Sequence, residues 1–220
     1  MPHLPALALS FKLGLPSTAP RSETGRESPR RPPGLAERNG ASDEELMGWA
    51  GAGDRAAFDL VVSRHGERAL RLALRVVGDP AEAEDVAQEA FLRAWRAAGR
   101  FDPDRARAST WLHRIVLNLA IDRVRRHGAA PLGMELAEDL PDPAPGPDAG
   151  LDAATERAAL ASALAELPPR QRAAVALAYE AELSGAEAAA ALSVSERALE
   201  GLLRRARLLL RARLGGGRGP

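Results

Sequence analysis

Between His127 and Gly150 the chain carries five prolines and four glycines, and that tract divides everything else into two blocks. Proline fixes φ and removes a backbone donor, and glycine adds chain entropy, so neither helix nor strand runs through such a stretch. From 127 to 152 there are also six acids (Glu135, Glu138, Asp139, Asp142, Asp148, Asp152) and no Lys or Arg. With no apolar periodicity, residues 127–150 read as a flexible linker. On either side of it apolar residues recur at helical spacing, and no segment shows the alternation of a strand. The expected fold class is therefore all-α, with two small helical domains on one tether.

The first block covers 42–126. Ser42-Asp-Glu-Glu45 is a capping box that opens a helix to about Ala52. A second helix follows Asp54, carries apolar residues from Phe58 to Val77, and stops at Gly78-Asp79-Pro80. A third spans roughly Ala81–Ala98 and is broken by Gly99 and Asp102-Pro103. The fourth is expected from an N-cap at Ser109 to Arg126. Four helices with short loops make a compact bundle.

The second block covers 151–214. Its first helix ends before Leu167-Pro168-Pro169, where a proline suits the opening turn of the next. Ser184-Gly-Ala-Glu187 is a second capping box, on a short alanine-rich helix ending at Ala191. Leu192-Ser193-Val194 is then a tight turn, and Ser195 or Ser193 caps the last helix. Small residues let that pair pack closely at a steep angle, the requirement of a DNA-binding helix-turn-helix. Residues 1–41, rich in Pro, Ser, Gly and Arg, are expected to be disordered, with a start assigned too far upstream as the other reading of them. Residues 215–220 read as a frayed tail.

Charge is balanced overall at 30 basic and 30 acidic residues, so distribution carries the information. From Ser195 to Leu214 there are six arginines against two glutamates. The absence of cysteine rules out disulfide, thiolate and Cys-zinc chemistry. His3, His65, His113 and His127 lie far apart, and there is neither an HExxH motif nor a Gly-rich phosphate loop. The chain is thus expected not to be an enzyme, and to use no cofactor, metal or small-molecule substrate. No run reaches the ~18 apolar residues of a membrane span, and the start lacks a basic n-region, so a soluble cytoplasmic protein is expected.

Three surfaces stand out. On the third helix Asp85, Gln88, Glu89 and Arg93 share a polar face, either solvated and stabilised by Glu89–Arg93 pairing or used by a protein partner. On the fourth, Trp111, Arg114 or Ile115, Asn118, Asp122 and Arg125 fall near one another behind an arginine-rich loop from Phe101 to Ser109. Arginine and aromatic planes can stack on unpaired bases or hold a flipped one. On the last helix Glu196, Arg197, Glu200, Arg204 and Arg205 would face the major groove while Leu199, Leu202 and Leu203 face inward. Arginine bonds guanine edges there, and glutamate accepts from cytosine N4.

The chain resembles the bacterial sigma-70 family, specifically its extracytoplasmic-function (ECF) group. The matching residues are Ala83-Glu-Asp85-Val-Ala-Gln-Glu89-Ala-Phe-Leu-Arg-Ala-Trp95, Ser109-Thr-Trp-Leu112, Val116-Leu-Asn118 and Asp122-Arg-Val-Arg-Arg126. The second block adds Leu167-Pro-Pro-Arg-Gln-Arg172, Leu183-Ser184 and Leu203-Arg-Arg-Ala-Arg207. The resemblance implies a promoter-specificity factor with region 2 over 42–126 and region 4 over 151–214. By it, Asp85, Gln88, Glu89 and Arg93 would bind core RNA polymerase. Phe101, Arg105, Arg107, Ser109, Trp111, Arg114 and Asn118 would open and read the −10 element, with Arg123, Arg125 and Arg126 on phosphates. Ser195, Glu196, Arg197, Glu200, Gly201, Arg204, Arg205 and Arg207 would bind the −35 element as duplex. The partners implied are core RNA polymerase, promoter DNA and an anti-sigma factor, with no membrane insertion. Many relatives carry Lys or Arg where this chain has Glu200, and a small-residue pair in place of Glu196-Arg197, so their −35 preference does not transfer. A conventional helix-turn-helix regulator with an N-terminal sensor bundle explains 184–207 but not the face at Asp85–Arg93.

Overall fold

The computed structural model describes residues 34–127, 150–179 and 183–215, with the side chains of 35 and 150–154 left aside. Most of the expected linker, most of the N-terminal extension and residues 216–220 lie outside the described residues. Every regular element among the described residues is helical. The first unit contains α1 (Leu35–Gly40), α2 (Asp43–Gly51), α3 (Arg55–Val77), α4 (Pro80–Ala97) and α5 (Ala108–His127), with a 3₁₀ turn at Ala98–Arg100. The second contains α6 (Gly150–Ala165), α7 (Pro169–Ala178), α8 (Gly185–Ala191) and α9 (Glu196–Gly215).

The long helix α3 organises the first unit, because α2, α4 and α5 all pack on it. Its start is set by Asp54, whose carboxylate accepts from Ala57 N, and its end by Gly78 at φ 86°, a left-handed cap that glycine adopts without strain. Helix α4 begins in the same way, with Asp79 accepting from Glu82 N at 2.8 Å and Pro80 at its first position. Phe58, Phe91 and Trp95 meet in the centre, with Phe58 edge-on to Phe91 at 6.4 Å and 5.3 Å from Trp95. Trp95 is fully buried, and packed aromatics of this kind contribute ~0.5–1.5 kcal/mol beyond area burial.

Two boundaries differ from expectation. Among the described residues a helix already covers Leu35–Gly40, ahead of the expected start at Ser42. Helix α1 is held by the Arg38–Asp54 ion pair at 2.8 Å and by Arg64, which donates to Asn39 O and Ala41 O. The other is the start of α5, at Ala108. Arg107 supplies the first accepting carbonyl, and Glu44 Oε1 on α2 accepts from Ala108 N at 3.0 Å, so Ser109 is not the cap. A carboxylate from another helix satisfies an orphan N–H that a local serine was expected to take.

Candidate nucleic-acid interface

In the second unit the helix-turn-helix forms from α8 and α9. Ser184 caps α8: its hydroxyl accepts from Glu187 N, while its own N–H and hydroxyl both donate to Glu187 Oε2 at 2.8 Å. The backbone bond from Ser184, then its side-chain bond, hold the Glu187 carboxyl below its usual range. In the turn, Ser193 takes φ 55°, and Ser195 Oγ then caps α9 by accepting from Ala198 N at 3.2 Å. Leu199 and Ala206 are buried, with Leu202 and Leu203 packed on the core. Glu196, Arg197, Glu200, Arg204, Arg205 and Arg207 are exposed, as is Ser195, and Gly201 is half-buried among them. The expected duplex-reading face is therefore accessible along one side of α9. Sequence reading did not single out Leu208, Leu209 and Leu214, which are exposed further along the same helix.

In the first unit α4 and α5 lie side by side. Asp85, Gln88 and Arg93 are exposed on α4 and Glu89 is half-buried, with Arg93 Nε donating to Glu89 Oε1 at 2.7 Å. On α5, Arg114, Asn118, Arg125 and Arg126 are exposed, and Trp111 is half-buried at the head of their stripe. Arg126 Nε donates to Asp122 O at 3.2 Å, and Arg125 lies 3.9 Å from the Asp122 carboxylate.

Two expected nucleic-acid contacts are used differently. Phe101 is only 4% exposed and packs edge-on against Trp111 at 5.6 Å. Its ring pins the loop onto α5 instead of facing outward, because burial of an aromatic outweighs its exposure in a short loop. Arg123 was expected on phosphate, but its guanidinium is engaged by α4: Nη2 donates to Asp85 Oδ2 at 3.0 Å, and Nε pairs with Glu82. It straps the acidic face to the basic helix. Arg105 is open to solvent beside Asp102, at 3.5 Å, in a loop held by Asp104 N and Arg105 N donating back to Asp102. Ser109 is half-buried inside the first turn of α5, and Arg107 reaches Glu187 of α8 at 3.3 Å.

Among the described residues no group of three His, Cys, Asp or Glu is placed to hold a metal ion, and no helix is long and apolar enough to cross a membrane. What the arrangement offers is an acidic patch on α4, an arginine-aromatic stripe on the neighbouring helix α5, and a second basic helix on the other unit.

Comparison with known proteins gives two family matches along the chain. Residues 61–130 match the family model for Sigma-70 region 2, and residues 157–210 that for Sigma-70, region 4. Over 185 residues the chain is 40% identical to the ECF RNA polymerase sigma factor SigM of Mycobacterium tuberculosis, covering 83% of this chain and 89% of SigM. It is 40% identical over 182 residues to the RNA polymerase sigma factor CnrH of Cupriavidus metallidurans, covering 79% of this chain and 94% of CnrH. Among solved structures, CnrH in complex with the cytosolic domain of CnrY superposes with a TM-score of 0.59 at 34% identity, over 81% of this chain and all of that one. Two region models in family order, with relatives matched over most of their length, place the chain in the sigma-70 family of RNA polymerase sigma factors, in its ECF group.

Proposed function

We propose that this factor binds core RNA polymerase through the α4 face, opens the −10 element with α5 and its preceding loop, and reads the −35 element with α9. The observation that carries the assignment is that α4 and α5 pack together and are tied by Arg123 to Glu82 and Asp85, with Asp85 and Gln88 exposed on α4 and Arg114, Asn118 and Arg125 exposed on α5. A polar docking face of that kind has no task in a free-standing regulator, and duplex reading alone requires no aromatic-arginine stripe. Within the opening surface, Trp111, Arg105, Arg107, Arg114 and Asn118 contact DNA, Arg125 and Arg126 hold phosphates, and Phe101 positions the loop. Arg123 positions Asp85 and couples the two faces. The factor performs no chemistry of its own and acts in the cytoplasm, where core polymerase and promoter meet. Its similarity to CnrH, solved with the cytosolic domain of CnrY, supports a protein inhibitor that restrains the free factor.

The test is assembly with purified core polymerase followed by run-off transcription from a cognate promoter. The full chain should convert core enzyme to promoter-specific initiation. Asp85→Lys combined with Gln88→Ala should weaken assembly about tenfold, equivalent to about 1.4 kcal/mol. Tight binding to duplex DNA alone, without association with core enzyme, would support the conventional regulator.

A further inference from the structure

Helix α9 holds two features that its own fold does not explain. The first is Gly201, at the middle of the outward face. Arg197, Gly201 and Arg204 follow one another at steps of a helical turn, opposite the buried Leu199 and Ala206. Glycine in a helix interior lowers helix stability on the order of fivefold relative to alanine. Packing does not require it here. The nearest atoms to a Cβ built at Gly201, outside the helix backbone, are the Arg205 guanidinium nitrogens at 3.5 and 3.9 Å. That is ordinary contact with the end of a flexible side chain. The second feature is Glu200. Glu67–Arg71 and Glu89–Arg93 form ion pairs at the i,i+4 spacing. Glu200 and Arg204 have the same order and spacing, are both exposed, and do not pair. Glu196, the other acid of α9, turns away: its Oε2 would lie 3.9 Å from a Cβ built at Gly185, on the first turn of α8. Glu200 is therefore the acid that borders the Arg197–Gly201–Arg204 stripe.

We infer that Glu200 and Gly201 set the base preference of α9, with a cytosine as the base that Glu200 reads. Gly201 lets the helix sit deep in the major groove, Glu200 accepts from the cytosine N4 amino group, and Arg204 forks onto a nearby guanine. This rests on the function proposed above, in which α9 reads the −35 element. Glu200 and Arg204 are about 6 Å apart along the helix axis at ~1.5 Å per residue, a span of about two base pairs at ~3.4 Å each.

Electrostatics select the base. A carboxylate carried between phosphate backbones is disfavoured unless a donor meets it. On the major-groove edge guanine offers two acceptors, and thymine an acceptor and a methyl group, so neither satisfies it. Adenine sets its amino donor beside the N7 acceptor, whereas cytosine offers the N4 amino group with no acceptor next to it. Arg197 and Arg204, a turn to either side, offset the charge of the acid. Depth accounts for the glycine. A helix with its side chains is ~10–12 Å across and the major groove ~12 Å wide, so a side chain at the centre of the inserted face sets how far the helix enters. Glutamate is shorter than arginine, and a neighbour without Cβ brings its carboxylate to the base edge.

The test is selection from a pool of random-sequence DNA duplexes, by the full chain alone and by the full chain with core polymerase. The enriched element should hold a cytosine at one position and a guanine within about two base pairs of it. Glu200→Gln should exchange that cytosine for adenine, because an amide bonds adenine N6 and N7 together, with preference at that pair changing by about tenfold or more. Arg204→Ala should erase the guanine preference and keep the cytosine. Gly201→Ala should raise thermal stability yet lower affinity for the enriched duplex about tenfold, a combination that a merely tolerated glycine would not give. The same element enriched by Glu200→Gln, or unchanged affinity in Gly201→Ala, would overturn the inference. Running the selection with and without core polymerase tells the base assignment from the function. Exchange of cytosine for adenine by a chain that never associates with core enzyme removes the function alone. Enrichment with core enzyme but no exchange removes the base assignment alone, and no enrichment in either sample removes both.

Discussion

At the scale of single residues, Asp43 shows how a local motif hides a tertiary one. It follows the Ser42 cap, but its carboxylate lies 2.8 Å from Arg64 Nη1 and 2.6 Å from His65 Nε2, both on α3. Burial would raise its pKa; the Arg64 hydrogen bond and the contributions of His65 together outweigh this and leave it lowered from 3.8. A carboxylate depressed in the folded state stabilises above its unfolded pKa, and that contribution is lost as pH falls through the folded value. Asp43→Ala should therefore cost about 2 kcal/mol at pH 7 in urea unfolding. The gap from the unsubstituted protein should narrow once pH drops below about 3.8. A gap independent of pH would mean that the charge does not hold α2 to α3. The exposed −35 candidates on α9 were legible from helical spacing alone, because one face of that helix has no competing partner. Phe101 and Arg123 were not, since their neighbours, Trp111 and the Glu82–Asp85 pair, come from other elements.

At the scale of elements, caps and breakers placed most helices correctly: Ser42, Asp54, Gly78 and Ser184 act as the sequence suggests, while Asp79, read only as part of a stop, also caps α4. The failures are the ends fixed from a distance, namely α1, tied by Arg38 and Arg64, and the start of α5, tied by Glu44. Gly51 shows the same effect in packing. A Cβ there would sit 2.9 Å from Ala98 O and 3.0 Å from Gly99 Cα, so α2 approaches the 3₁₀ turn as closely as backbone allows. Alanine would gain up to about 1 kcal/mol of helix propensity, but a clash with backbone cannot be relieved by a rotamer change. Gly51→Ala should thus be net destabilising by about 1–3 kcal/mol in chemical denaturation. A neutral or stabilised variant would show that the turn can move away, and that the α2–α4 corner is looser than it looks.

At the scale of the whole molecule, the proline-glycine tract announced two helical units, and the order of motif sets announced the family. The contact between those units was not legible, because Arg172 Nη1 on α7 donates to Val76 O on α3, a backbone carbonyl 96 residues earlier that carries no side-chain signature. Nor could sequence spacing reveal that Asp85 and Arg123, expected on separate surfaces, share one ion pair. Both facts point to a molecule whose surfaces work through each other. The central claim is a division of labour, with α5 opening DNA that α9 has helped to locate. Permanganate footprinting of unpaired thymines at the −10 element, with core polymerase and either the unsubstituted factor, Trp111→Ala or Arg204→Ala, tests it most directly. The unsubstituted factor should open DNA only with core enzyme. Trp111→Ala should leave promoter binding within about threefold and reduce thymine reactivity at least tenfold, about 1.4 kcal/mol. Arg204→Ala should weaken promoter binding by about 1–3 kcal/mol yet restore full reactivity at saturating concentration. Equal loss of binding and opening in both variants would contradict the account.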